Sequence, residues 1–224
     1  MLTQHHEPLL SARPDWRTLV DAVNANAASH PDVVVAEQWD GTAFVNPVTA
    51  RGLHEDIRAT ARGLAAAGVR PGDRVAIMSR TRYEWTVLDF AIWHAGAVTV
   101  PIYETSSAEQ VRWILTDSKA LCVIVEDARL RSVVEQVRAD LPALGNIWTI
   151  TEGGLEEIRA LGAADAPDID TALHSRSLDD PATLIYTSGT TGRPKGCVLT
   201  HRNMVYETHA VLEAEPTVVN ENTR

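Results

Sequence analysis

The sequence has no run of hydrophobic residues clean enough to span a bilayer. Its longest apolar stretch, residues 85–103, is broken by Asp89, His94, Gly96 and Pro101, which favours a buried helix followed by a buried strand. A secretory leader is not expected either, because the start, MLTQHHEPLLSARPDW, has neither a basic head nor a continuous apolar body. Cysteine is scarce. The two present, Cys122 and Cys197, lie far apart at no metal-ligand spacing, which points to a reducing, cytoplasmic compartment and to two buried core thiols. Positive charge is also in short supply. The formal net charge of −10 argues against a general nucleic-acid binder, whose extended face must attract phosphate, so any anion bound here must be held by local groups. Familiar catalytic patterns are missing as well. His54 and Glu55 begin a zinc-protease helix, but Arg58 stands where the second histidine is required, and there is no G-x-S-x-G elbow. The pair His5 and His6 sits in a polar terminus and reads as solvated rather than metal-binding.

What is present is a soluble, globular composition, 45% apolar and 22% charged over 224 residues, enough for one large domain or two small ones. Leu53, Ile57, Ala61 and Leu64 recur at helical spacing, with Thr49 placed to cap the helix and Gly68 to end it; Val75, Ala76, Ile77 and Met78 follow as a short strand. A second helix over about 82–95 leads through Gly96 into a strand at 98–102. Ser106 and Glu109 are predicted to box the start of a third helix carrying Val111, Ile114 and Leu115, and a strand at 121–125 follows. Asp127 is placed to cap a fourth helix with Leu130, Val133, Val134 and Val137 on one face, ended by Pro142, before a strand at 146–150. Apolar strands alternating with amphipathic helices predict an α/β fold: a mostly parallel sheet covered by helices on both faces. Residues 151–181 are polar and acidic and are expected to hold at most one short helix, near 155–161. A strand at 182–188, a strand at 197–200 and a helix at 201–214 complete the expectation, with no repeat or low-complexity tract.

Between those last strands lies TSGTTGRPKG, residues 187–196. A tight turn needs one or two residues at positive φ, not four hydroxyls and a lysine. Gly189, Gly192 and Gly196 let the backbone turn its amides inward without Cβ obstruction. Thr187, Ser188, Thr190 and Thr191 add hydroxyl donors, and Lys195 adds a positive charge. These are the parts of a polyphosphate grip. The better-known G-x-x-x-x-G-K-[ST] loop joins a strand to a helix, whereas this loop joins two strands, with Pro194 before Lys195 and Gly196 after it. From composition alone, a hairpin tip whose hydroxyls face water remains the alternative.

The run LIYTSGTTGRPKG, residues 184–196, resembles the phosphate-loop signature of the acyl-adenylate-forming ligases, the superfamily of acyl-CoA synthetases, peptide-synthetase adenylation domains and luciferases. Residues 61–127, including AGAVTVP at 95–101, are similar to the N-terminal part of the same enzymes, so the likeness covers most of 33–207. VPIYETSSAEQVRWIL, starting at Val100, is most similar to long-chain fatty acyl-CoA synthetases. Pro101, Ile102 and Tyr103 are also expected to end a buried strand and enter a turn.

The resemblance implies that residues 1–224 are the N-terminal portion of the large adenylation domain. In the family, the residues for adenine, ribose and the acyl chain, the magnesium-binding glutamate, and a C-terminal lid with its lysine all follow the loop; none has a counterpart by Arg224. The implied activity is that of a long-chain fatty acid–CoA ligase working in two steps, with ATP, Mg2+ and coenzyme A as cofactors. By the same carry-over, Thr187, Ser188, Gly189, Thr190, Thr191, Gly192, Lys195 and Gly196 hold the β- and γ-phosphates. Lys195 is the catalytic charge and Arg193 points to solvent, while no residue of the chain is assigned as a metal ligand. The expected partners are a long-chain fatty acid and coenzyme A, with no nucleic acid. A carrier-protein thiol as acceptor, peripheral membrane contact, and a non-catalytic phosphate-binding or interaction domain remain open, as does the oligomeric state. The chain on its own is expected to be inactive.

Overall fold

The computed structural model describes residues 16–164, 168–187 and 193–214, and the expected alternation of helix and strand organises them. Two elements precede it. Helix α1 (Leu19–Ser29) starts at Thr18, whose hydroxyl accepts from the Val20 amide while Asp21 accepts from the Thr18 amide at 2.9 Å. Strands β1 (Val34–Trp39) and β2 (Phe44–Thr49) then pair antiparallel as a separate two-stranded sheet. Thr49 caps α2 (Ala50–Ala66), its hydroxyl accepting from the Gly52 amide at 3.1 Å, and Gly68 follows the helix with φ +99°.

The main body runs β3 (Arg74–Met78), α3 (Tyr83–His94), β4 (Val98–Ile102), α4 (Ala108–Ser118), β5 (Cys122–Val125), α5 (Ala128–Glu135), β6 (Ile147–Thr149), α6 (Gly154–Ala164) and α7 (Ile169–His174). It closes with β7 (Pro181–Thr187), β8 (Lys195–Thr200) and α8 (His201–Ala214). Six strands form one sheet in the order β6-β5-β3-β4-β7-β8, parallel throughout except for the antiparallel pair β7/β8. The period of two along each strand divides the core. Val75, Ile77, Cys122 and Ile124 face α2, α3 and α6, packing with Ile57, Leu64, Leu88 and Ile158. Ala76, Met78, Val123 and Val125 face α4 and α5, packing with Val111, Leu115, Leu130 and Val134. A third cluster joins α1 to α3, and there the Trp93 indole donates to the Ala182 carbonyl at 2.8 Å, tying α3 to β7.

Several expectations need correction. The third helix begins one residue later than predicted, because Ser107 is its cap: the Gln110 amide donates to the Ser107 hydroxyl at 3.3 Å and the Ser107 amide to Gln110 at 2.8 Å. Helix α5 stops at Glu135, and a 3-10 turn at Arg138–Asp140 intervenes before Pro142. Residues 151–181 contain two helices, not at most one. Helix α6 crosses α2 where glycines meet: a Cβ at Gly63 would fall 1.9 Å from the Ile158 carbonyl oxygen, and one at Gly162 would fall 2.5 Å from the Gly63 nitrogen. Cys122 is buried as expected, but Cys197 is exposed, since β8 is the sheet's edge strand.

Candidate functional site

Strand β3 is followed by α3 on one face of the sheet and its neighbour β4 by α4 on the other. Adjacent strands whose helices leave to opposite faces open a crevice beyond their carboxyl ends, the position where open α/β sheets bind ligands. A cavity of about 640 Å3 lies there, lined by residues following β3 (Ser79, Arg80, Thr81), by Tyr103 and Glu104 after β4, and by Tyr186 of β7. The predicted turn after Pro101 and Ile102 thus forms one wall, with Tyr103 exposed.

The turn after β3 that lines it is held by a buried carboxylate outside the cavity. Glu126, at the end of β5, is buried and accepts from the Arg80 amide at 2.8 Å, the Arg80 guanidinium at 2.6 Å and the Ser79 hydroxyl at 3.3 Å. The Arg80 side chain chiefly holds its carboxyl down at about 2. A carboxylate so satisfied cannot accept a proton near neutral pH; it fixes the turn that follows β3. Asp89 on α3 is the opposite case. It is buried with no cation beside it among the described residues, and desolvation pushes its carboxyl up to about 7.

The two arms of the predicted grip meet beside this crevice. In the β7/β8 ladder Thr187 faces Lys195 and Tyr186 faces Gly196, so the mouth of the hairpin carries a hydroxyl opposite an ammonium. Ser188, Gly189, Thr190, Thr191 and Gly192 lie outside the described residues, as do His5 and His6. The sequence has two lysines, Lys119 at the C-terminal cap of α4 and Lys195. Lys195 is exposed, and among the described residues no carboxylate pairs with it. Several arginines elsewhere are paired with carboxylates: Arg58 with Asp170, Arg82 with Glu84, Arg159 with Asp56, Arg202 with Asp179.

Arg193 departs from expectation in part. It is exposed, and its guanidinium carbon also lies 4.8 Å from the centroid of the Trp113 ring on α4, a cation–π contact that the sequence did not suggest. The Trp113 indole also donates to the Pro194 carbonyl at 2.8 Å, and one turn further along α4 Asp117 accepts from the Tyr186 hydroxyl at 2.6 Å. Burial and then that bond raise the Tyr186 pKa. Gly196 lies against the Tyr186 ring, where a Cβ would approach Cζ to 3.1 Å. Sequence reasoning missed Trp113, Asp117, Arg80 and Glu126. The first two are an i, i+4 pair on a helix read only for its apolar face.

Among the described residues there is no group of three or more His, Cys, Asp or Glu side chains that could hold a metal ion, and no helix long and apolar enough to cross a membrane.

The profile of the family described as AMP-binding enzyme matches residues 23–223. The chain is 44% identical over 198 residues to long-chain-fatty-acid–CoA ligase FadD15 of Mycobacterium bovis, covering 87% of this chain and 33% of that protein. It is 34% identical to fatty acid–[acyl-carrier-protein] ligase ScoC of Streptomyces coeruleorubidus, covering 85% of this chain and 34% of that one. Among solved structures, a long-chain-fatty-acid–CoA ligase from Archaeoglobus fulgidus superposes with a TM-score of 0.76 at 23% identity, over 93% of this chain and 41% of that chain; at this identity the likeness concerns the fold. The chain spans about a third of the length of the curated relatives it matches.

Proposed function

The chain belongs to the AMP-binding enzyme family, and from that premise we propose that it carries the phosphate-gripping part of an enzyme that activates a long-chain fatty acid with ATP. The fatty carboxylate attacks the α-phosphate, pyrophosphate leaves, and the acyl-adenylate passes its acyl group to the thiol of coenzyme A with release of AMP. In this reading Thr187 and Lys195, together with Ser188, Gly189, Thr190, Thr191, Gly192 and Gly196, hold the β- and γ-phosphates as negative charge collects on the leaving pyrophosphate. Preorganised amides, hydroxyls and an ammonium lower the cost of that charge.

The observation that carries the reading is the hairpin mouth. An exposed lysine without a carboxylate partner among the described residues faces a threonine, next to a crevice at the carboxyl ends of parallel strands, in a chain of net charge −10. Such a cation is suited to an external anion. Magnesium would accompany ATP as its counter-ion, and the described residues offer no cluster of ligands to receive it.

FadD15 is named for transfer to coenzyme A, which supports that acceptor; the name of ScoC supports a second reading, transfer to a carrier-protein thiol. The test is exchange of labelled pyrophosphate into ATP by the full-length protein. Palmitate or oleate should support it, acetate and amino acids far less, and thioester should form with coenzyme A in preference to a carrier protein. Preference for a short acid or an amino acid overturns the substrate, and preference for the carrier overturns the acceptor.

A further inference from the structure

We propose that Trp113 and Asp117 of α4 are positioning residues that clamp the two arms of the phosphate hairpin, and that Arg193 serves this clamp and does not bind phosphate. The proposal rests on the reading of residues 187–196 as the polyphosphate grip.

A hairpin at the sheet's edge has little to hold its mouth still. Among the described residues strand β8 pairs with β7 alone, and its residues from Lys195 to Val198 are exposed. Electrostatic stabilisation works only when the charge is already in place, and a misplacement of about 1 Å can cost roughly a hundredfold in rate. The described residues contain one device that fixes both arms at once. On the exit arm, the Trp113 indole donates to the carbonyl of Pro194, the peptide group immediately before Lys195, at 2.8 Å. Proline has no amide hydrogen, so this carbonyl is its sole backbone hydrogen-bonding group. The same ring lies under the Arg193 guanidinium at 4.8 Å. On the entry arm, the Tyr186 hydroxyl reaches Asp117 at 2.6 Å, one residue before Thr187. Residues 113 and 117 are four apart, hence on one face of α4, and from that face each reaches one of the two arms.

Gly196 completes the arrangement. Any side chain there would press on the Tyr186 ring, with Cβ 3.1 Å from Cζ and 3.3 Å from the hydroxyl oxygen, and would push the ring off its line to Asp117. The two cations of the signature are thereby assigned different work. Arg193 is held on an indole, while Lys195, two residues on, keeps an exposed ammonium with no carboxylate partner among the described residues. The clamp contributes through placement, so its loss should show in ATP binding rather than in fatty-acid binding or folding.

The experiment measures pyrophosphate exchange by the full-length protein as a function of ATP and of palmitate, with thermal melting of each variant. Trp113→Leu should raise KM for ATP about tenfold, the combined scale of one hydrogen bond and one cation–π contact. Trp113→Phe, which keeps a ring under Arg193 but lacks the indole donor, should raise it less, and Tyr186→Phe should raise it about threefold. KM for palmitate should move by less than about twofold, and Glu109→Ala, an exposed change elsewhere on α4, should match the parent protein. Arg193→Ala should cost about threefold in the parent background and nothing further in Trp113→Leu, since each change removes the same contact. An equal cost in both backgrounds would make Arg193 a phosphate ligand and overturn the proposal. So would parallel rises in both KM values, which would mean a general structural role. Should Trp113→Leu not fold, Trp113→Phe and Tyr186→Phe decide alone: unchanged KM for ATP in both overturns the clamp. Lys195→Ala separates the two levels. If it weakens the reaction with ATP and the Trp113 variants do not, the clamp fails and the grip stands; if Lys195→Ala has no effect, both fall.

Discussion

Strands β3 and β8 lie three positions apart in one sheet, yet they are made in opposite ways. Val75, Ala76, Ile77 and Met78 of β3 are fully buried, each packed against helices on one face or the other. On β8, residues from Lys195 to Val198 are exposed, Val198 to 52%, and the strand has a sheet neighbour on one side only. The buried half holds the fold by excluding water; in the proposed reading the edge half presents groups to a ligand, and it is tied to α4 through Trp113 and Asp117. If that division is right, changes in the two halves should separate stability from activity.

The largest effect is expected at the edge. Lys195→Ala removes an ammonium that touches no carboxylate among the described residues, so stability should stay within about 0.5 kcal/mol. Pyrophosphate exchange should fall roughly a hundredfold to a thousandfold, the usual loss of about 2.7 to 4 kcal/mol for one preorganised electrostatic partner. Exchange kinetics and urea unfolding on the same preparation check both statements. A lysine change that unfolds the protein would erase the division.

The converse belongs to the buried half. Gly63→Ala places a Cβ 1.9 Å from the Ile158 carbonyl oxygen, a backbone atom that cannot step aside, so α2 and α6 must move apart. Overpacking of this kind costs about 1 to 3 kcal/mol. The midpoint of urea unfolding should drop accordingly, while exchange per folded molecule stays close to the parent value. Unchanged stability would mean that the helices do not meet at these glycines.

How much of this could be read in advance follows the same division. Elements whose signal is a contiguous apolar pattern were legible: α2 with its Thr49 cap, the strands β3, β4 and β5, and the strand-loop-strand context of the signature. Helix α6 was expected only over 155–161 because its apolar residues Leu155 and Ile158 lie in its first half, while further along its contact with α2 is Gly162 against Gly63, which leaves no hydrophobic signal. Helix α7 is a six-residue element, and β1 and β2 are half-exposed, so none of them carries a strong period. The capping box fell one residue late because Ser106 and Ser107 are adjacent and each has an acidic or amide residue three positions on; packing of Val111 and Leu115 into the core selects between them. The position of Arg193 was not legible at all, since Trp113 is 80 residues distant and meets it only through the tertiary fold.

A smaller effect should appear with pH. Asp89 has a folded pKa of about 7 against 3.8 in an unfolded chain, because burial disfavours its charge. Between pH 4 and 7 the unfolded state gives up this proton first, so Asp89 costs the folded protein progressively more stability as pH rises through that window. Asp89→Asn should therefore stabilise the protein at pH 8 relative to pH 5, by about 1 to 2 kcal/mol once local rehydration discounts the full shift. Glu126 has the reverse sign. Its pKa of about 2 against 4.5 means stability that is present above pH 4.5 and lost as pH falls toward 2, so Glu126→Gln should be most harmful at neutral pH. Unfolding free energies of the two variants across pH 3 to 8 should diverge in opposite directions; parallel curves would refute the assignment of both carboxyls.

The smallest effect compares the two cysteines, one from each half. Cys122 sits in β5 at 2% exposure, and burial pushes its thiol up to about 12, so it is both shielded and protonated in the folded protein. Cys197 is exposed on β8, opposite Ile185 and two residues beyond Lys195. Only a thiolate reacts with an alkylating agent, so at pH 8 iodoacetamide should modify Cys197 within minutes and reach Cys122 only through unfolding. Cys197→Ser should change stability by no more than about 0.5 kcal/mol, whereas Cys122→Ser places a hydroxyl in an apolar strand environment and should cost about 1 to 3 kcal/mol. Mass spectrometry of peptides labelled over a urea series then reads both halves in one experiment. Cys197 should label at every urea concentration, and Cys122 should follow the global unfolding curve. If Cys122 labels as fast as Cys197 in the absence of urea, β5 is not a sealed interior strand, and the proposed contrast between a buried half that holds the fold and an exposed edge that serves a ligand no longer describes this molecule.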